Sequence, residues 1–269
     1  MISHTVPHGV RPMPLSRYVA RAWPLLDARE AFRRRDVKVN GARSGGDSTV
    51  AGGDVLQIYL NPAHTLDVLS QGGGLLAVVK PQGLPVDVDA EGIGADTALT
   101  RARAIDPGAR LCHRLDAQTG GVLLFATEDN MHARCLAAFR ARAVRKRYAA
   151  IVAGAFSDAH GEYRDRLAKD AARARVHVGT RGERMAHTRW FDASPLDGGL
   201  TRVHLEPVTG RTHQLRAQMA HHAHPILGDD QYGDRALNRR FRTRLCLWCE
   251  HLSLLGLDFY AKAPDWLKR

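Results

Sequence analysis

Three features of the sequence predict an α+β protein. Short apolar runs with strand character, such as Leu75–Val79 and Val122–Ala126, outnumber the helical patterns. Helix-start signals at Asp27, Thr97 and Asp129 are few and widely spaced. A small basic unit with its own hairpin signal, Asn40-Gly41, precedes the sheet-forming part. The 269 residues are enough for one large domain and a small module. A loose tail is expected over 1–13, a module over 14–61 and the main domain over 62–269, with the boundary near Pro62.

Leu15, Val19 and Ala22 share one helical face, which Pro24 ends. Asp27 and Glu30 make a capping-box-like start for a second helix, whose outer face carries Arg29, Arg33, Arg34 and Arg35. Val37-Lys38-Val39 leads into the Asn40-Gly41 turn, and Leu56, Ile58 and Leu60 share a face of a closing strand. Thr97 is expected to cap a helix ending before Pro107. Asp129 is expected to cap another, with Cys135, Ala138, Phe139 and Arg142 at helical spacing. Strands are expected at Lys146–Val152, Arg189–Phe191, Leu200–Leu205 and Leu245–Leu255. Residues 157–183 are polar and Arg-rich, and read as an excursion.

Leu111–Asp129 organises the chain. His113-Arg114-Leu115-Asp116 sets a cation beside a carboxylate, Thr119-Gly120-Gly121 turns, and Val122–Ala126 is a doubly buried strand. Reactive groups often sit on loops held by such strands. On these residues alone, Arg114 and Asp116 read equally well as a surface pair holding a turn.

The net charge is +11, and only six of the 39 basic residues are lysine. Guanidinium-rich positive charge favours a polyanionic partner, with nucleic acid first. No apolar run is long enough to span a bilayer, so no membrane is expected. The four cysteines suit a reducing cytoplasm, and Cys246 and Cys249 read as buried structural residues. His213, His221, His222 and His224 invite a zinc reading. No carboxylate or cysteine stands at metal spacing near them, so no metal is expected.

Three blocks carry a resemblance. HRLDAQTGGVLLFA at 113–126 resembles the catalytic signature of the RluA-type pseudouridine synthases, which isomerise uridine in RNA. KRY at 146–148 and TGRTHQLR at 209–216 resemble the family's next blocks, in order. The resemblance implies a mixed, largely antiparallel sheet in a pseudouridine synthase catalytic domain. It implies that Asp116 is catalytic, Tyr148 the active-site tyrosine, Leu215 an apolar site residue and Arg216 the basic partner of Asp116. His113, Arg114, Arg211 and Lys146 are expected to hold substrate, with Arg114 filling the stack vacated by an extruded nucleotide. The sequence departs from the pattern at Gly120, Thr127, Gln218 and Ala223, and at Val79 just before KPQGLPV (80–86), which resembles the family's first block more weakly.

AREAFRRRDVKVNG, followed by AGGDVLQIYL, resembles the small αL RNA-binding motif, with Arg29, Arg33, Arg34, Arg35 and Lys38 as its phosphate contacts. The isomerisation is neither redox nor net hydrolysis, so no cofactor is expected. Whether the carboxylate acts as nucleophile or base stays open. An appended module suits ribosomal RNA of the large subunit better than tRNA, in a monomeric cytoplasmic enzyme. The rival readings are a tRNA enzyme, a catalytically silent RNA-binding protein in ribosome assembly, and a nucleoside hydrolase-like enzyme.

Overall fold

The computed structural model describes residues 2–33, 36–59, 65–89, 92–170, 175–179 and 184–267. It divides into two compact units, 1–67 with 83–110, and 68–82 with 111–269.

In the first unit, β1 (Ile2–Thr5) leads to β2 (Met13–Pro14), α1 (Leu15–Ala22) and α2 (Ala28–Arg33). Then come β3 (Val37–Val39), β4 (Ala42–Arg43), β5 (Thr49–Val50) and β6 (Val55–Ile58). The α1 helix buries Leu15, Tyr18, Val19 and Ala22, the spacing of one helical face. Asp27 caps α2 as expected, accepting from the Glu30 N–H at 3.1 Å. Asn40 and Gly41, with φ of 50° and 83°, make the turn from β3 to β4. Arg34, Arg35, Leu60 and Pro62 lie outside the described residues.

Two expectations are corrected here. The loose tail is instead ordered structure: Ile2 to Thr5 pair antiparallel with β6, and Val6 and Val10 are buried. Ile2 on β1 packs against the same core as Val37, Leu56 and Ile58 of the neighbouring strands. The division of the chain also differs from 14–61 and 62–269, because 83–110 belongs with the N-terminal residues. Ile93 packs into their core, the Asp96 N–H donates to Ala22 O at 2.8 Å, and Arg21 pairs with Asp89 at 2.6 Å. This segment carries α3 (Ala98–Ile105), where Thr97 and Thr100 form the reciprocal cap.

The second unit is built on a sheet. Its strands include β7 (Asp67–Gly72) and β8 (Leu75–Lys80), and the two-residue β9 (Arg110–Leu111) marks where the chain re-enters this unit. After β10 (Gly120–Ala126) and α4 (Asp129–Arg140) come β11 (Arg145–Ala153), β12 (His160–Asp170), β13 (Arg175–Val178), β14 (Arg184–Leu196) and β15 (Leu200–Pro207). Then follow α5 (Gln214–His221), α6 (Arg235–Phe241), β16 (Leu247–Leu254) and β17 (Leu257–Tyr260). The strand order is β13-β12-β14-β15-β11-β16-β10-β8-β7, with β17 beside β16. The β10–β16 pair is parallel and its neighbours are antiparallel, so the sheet is mixed and largely antiparallel as expected.

Every residue of β10 is buried, which suits its unbroken apolar run. Its two glycines make the parallel pairing possible. A side chain at Gly120 would collide with the Trp248 ring, and one at Gly121 with the Cys249 backbone. The polar excursion at 157–183 contains two ladder strands, because alternating polar residues suit a sheet with one wet face. Glu128, rather than Asp129, is the N-cap of α4, and Arg142 lies beyond that helix in a left-handed turn.

Candidate active site

The loop before β10 is held by its backbone. Lys80, fully buried at the end of β8, donates to Pro81 O and Ala117 O, each at 2.9 Å. Gln82 Nε2 donates to Gln118 O at 3.1 Å, and the Thr119 N–H closes a turn onto Asp116 O at 3.0 Å. His113 Nε2 accepts the Leu124 N–H at 3.1 Å, and its ring stacks on Phe139 with centroids 5.1 Å apart. Burial, assisted by the nearby Lys146 charge, drives the His113 pKa down to about 3, so the ring is neutral and able to accept. His113 therefore anchors the loop to β10. The Asp116 side chain is left 27% exposed.

The opposite wall is α5. Its first turn is set by Gln214, whose Oε1 accepts from Thr209 Oγ1 at 2.7 Å and from the Arg211 N–H at 3.0 Å. Gln214 Nε2 in turn donates to His187 O and Thr188 Oγ1, each at 3.0 Å. These bonds satisfy buried amides at a helix start, where orphan donors are otherwise costly. Arg216 emerges from this turn almost wholly buried. Its Nη1 donates to Asp116 Oδ2 at 3.2 Å, while Nε and Nη2 grip both oxygens of Asp229 at 2.7 and 2.9 Å. Asp230 lies 3.3 Å from Nη2.

Asp229 was not singled out from sequence, and it is the main partner of Arg216. Burial alone would raise its pKa, but the guanidinium and the Tyr232 and Gln231 N–H groups outweigh that and hold it below the ordinary value. Burial likewise opposes the Arg216 charge, and Asp229 with Asp116 more than restores it. Asp116, Asp229 and Asp230 share one guanidinium, so the buried cation is not left unpaired.

His213, in a left-handed conformation before α5, places Nε2 3.9 Å from Asp116 Oδ2 and Nδ1 3.0 Å from the Tyr232 hydroxyl. Burial lowers its pKa, against the pull of Asp116. Lys80 is pushed down to about 7 by burial, again opposed by Asp116. The sequence signal that could have found Lys80 is a lysine ending an apolar strand, and His213 stands both in the 209–216 block and in the histidine group.

Tyr148 is buried on β11, opposite Leu205 and Cys249. Burial first, then Cys249 and Asp116, raise its pKa well above 10, so the phenol keeps its proton. Leu215 is buried beside Arg216 on α5. Lys146 lies 5.9 Å from the Phe139 ring centroid, and burial lowers its pKa. Arg211 donates to Met185 O at 3.1 Å, and Arg114 is exposed. Asp116 is thus within electrostatic reach of both Arg216 and Tyr148. Of the module residues, Arg29 and Arg33 are exposed on α2, with Arg33 paired to Glu30, and Lys38 lies 5.2 Å from the Tyr59 ring centroid. His213, His222 and His224 take separate partners: Asp116 and Tyr232, Asp165 and Tyr163, and Ala153 O and Phe156.

Comparison with known proteins identifies the family. The family model for RNA pseudouridylate synthase matches residues 74–221. The chain is 33% identical over 226 residues to "Ribosomal large subunit pseudouridine synthase C" of Vibrio vulnificus, covering 76% of this chain and 70% of that protein. It is 34% identical over 190 residues to "Dual-specificity RNA pseudouridine synthase RluA" of Haemophilus influenzae, covering 70% and 86%. Among solved structures, human RNA pseudouridylate synthase domain containing 1 superimposes with a TM-score of 0.63 at 25% identity, over 77% of this chain and 86% of that one. A family model that matches more than half of the chain, with relatives at 33% and 34% identity over most of it, places the protein in the RNA pseudouridylate synthase family, as an isomerase of uridine in RNA.

Proposed function

We propose that this enzyme modifies structured ribosomal RNA of the large subunit, with Asp116 at the reacting centre. The observation that carries this reading is the Asp116 carboxylate, 3.2 Å from an Arg216 already neutralised by Asp229. The Asp116 side chain is partly exposed, so a substrate can reach it. It acts at ribose carbon 1 as nucleophile, or as base and electrostatic partner of a cation-like ribose. The bond to uracil nitrogen 1 breaks, the held base rotates, and carbon 5 rejoins the ribose. Atoms balance without an oxidant, a reductant or water, so the pocket must exclude water.

The protonated phenol of Tyr148 stacks on the detached uracil or exchanges a proton at carbon 5. Leu215 supplies an apolar wall, Lys146 and Arg211 hold phosphate or base, and Arg114 enters the stack left by the extruded nucleotide. His113 and His213 serve as positioning residues for the loop and for α5. Arg29, Arg33, Arg34, Arg35 and Lys38 bind RNA phosphates, so the first unit acts as the RNA-binding module. The ribosomal target is supported by the printed name of the Vibrio relative. The enzyme acts as a cytoplasmic monomer. Among the described residues no helix is long and apolar enough to cross a membrane.

The test is pseudouridine mapping in RNA from cells lacking this protein, with in vitro modification of large-subunit rRNA and tRNA transcripts. Loss of one or more large-subunit sites, restored by the purified enzyme, is expected. Modification of tRNA alone would replace the target, and release of free uracil would replace the reaction.

A further inference from the structure

Helix α5 ends at His221, with His222 as its C-cap, and the carboxylate that sequence spacing does not supply arrives from the sheet. Asp165 lies on β12, more than fifty positions earlier in the chain. His222 Nε2 is 3.2 and 3.1 Å from the two Asp165 oxygens. Donor atoms of Asp165, His221 and His222 all lie within 4.8 Å of one another. We propose that these three side chains form a site for a divalent transition metal of the zinc class, which clips β12 to the C-terminal end of α5.

The dimensions fit the ion. Zinc bonds to nitrogen and oxygen of about 2.0–2.1 Å give tetrahedral edges of about 3.3 Å between donors. The His222–Asp165 edge already has that length. His221 needs a small swing to complete the face, and its side chain is exposed and free to make it. Two imidazoles and a carboxylate are a ligand set that zinc accepts, with the fourth position open to water.

The surroundings hold the donors in place, as outer-shell partners do around metal ligands. Gln218 Nε2 donates to Asp165 Oδ2 at 2.7 Å, and Gln218 Oε1 accepts from Thr188 Oγ1 at 2.7 Å. The His222 ring lies flat on Tyr163, with centroids 3.8 Å apart and planes 4° from parallel. A His222–Asp165 ion pair alone would not need a second imidazole within 4.8 Å of the same carboxylate. The site differs from the Asp116 centre in its residues, yet it loads the same helix, whose first turn carries Leu215 and Arg216. A bound ion stiffens α5 and uses no group of the isomerisation.

Cobalt(II) titration of the full-length protein with all thiols reduced tests the proposal. One equivalent should give a visible d–d band that zinc displaces, without the charge-transfer band of a thiolate ligand. His221→Ala, whose exposed side chain is not needed for folding, should weaken binding by more than the roughly 10–100-fold that losing an outer-shell partner costs. Asp165→Asn should do the same. Zinc should raise the Tm of the parent chain and leave that of His221→Ala unchanged. Equal cobalt titrations for the parent chain and His221→Ala, or a spectrum dominated by thiolate, would overturn the site.

Discussion

Asp116 and Arg29 are both charged residues on short segments, and the structure treats them oppositely. At Asp116 the backbone is held by Lys80 and Thr119, its guanidinium partner is almost wholly buried, and that partner has a second carboxylate. At Arg29 the side chain is exposed on a six-residue helix. The difference follows from the work proposed for each. A carboxylate that meets one carbon must be fixed to a fraction of an ångström, which takes buried, fully bonded neighbours. A cation that meets phosphate needs only charge and reach, since sequence-independent binding tolerates motion. One region should therefore fail in rate or stability when altered, the other in affinity alone.

The sharpest break is Asp116→Asn. Turnover should fall by several orders of magnitude, because no other carboxylate of the loop can replace it. Folding should survive, since Arg216 retains both bonds to Asp229, and Tm should move by the equivalent of less than about 1 kcal/mol. RNA binding should hold or tighten, because a negative charge facing a polyanion is gone. Near-normal pseudouridine formation by a folded variant would sink the assignment.

Asp229→Asn makes the complementary break. It leaves Arg216 buried with only Asp116 and the exposed Asp230 as anionic partners, and should cost about 3–5 kcal/mol in urea unfolding. A change below about 1 kcal/mol would mean that Asp116 alone can support the buried guanidinium.

Lys80 connects loop and core through pH. Burial holds its pKa at about 7, with Asp116 opposing, whereas a lysine in the unfolded chain titrates near 10.4. Between these values the unfolded chain binds the extra proton, so this group makes stability rise with pH, by up to about 1.4 kcal/mol per unit. The contribution is fully present above the unfolded value and lost as pH falls toward 7. Urea midpoints at pH 7, 8 and 9 should show this slope relative to Lys80→Met. Parallel pH profiles for the two proteins would show that Lys80 is not held neutral.

Much of this contrast was legible in the sequence. The apolar run of β10 announced a doubly buried strand, and the three motif blocks pointed to Asp116, Tyr148 and Arg216. Asp229 was not legible, because its importance depends on how many carboxylates a buried arginine requires, and spacing does not reveal burial. The anchoring bond of His113 was hidden for the same reason, because sequence does not show that its Nε2 accepts the Leu124 N–H. The placement of 83–110 was hidden because Ile93 and Asp96 find partners far away along the chain. Asp165 was invisible beside His221 and His222 for the same topological reason, since strand pairing brings together what sequence separates.

The smallest effect sharpens the comparison most, because it asks whether the exposed arginines act through charge alone. Arg29→Ala removes a side chain that supports no described core contact, so Tm should stay constant. If Arg29 neutralises one phosphate, the slope of log affinity against log salt should shrink by about 0.7–0.9. The loss should be uniform across RNA sequences, and turnover at saturating RNA should be unchanged, since no reacting group has moved. Raising the salt should bring the affinities of the two proteins together, because the missing interaction is the screened one. Identical slopes for Arg29→Ala and the parent chain would remove Arg29 from the phosphate contacts. A fall in turnover at saturating RNA would show that the first unit positions the substrate as well as gripping it, and the division of labour between the two regions would then fail.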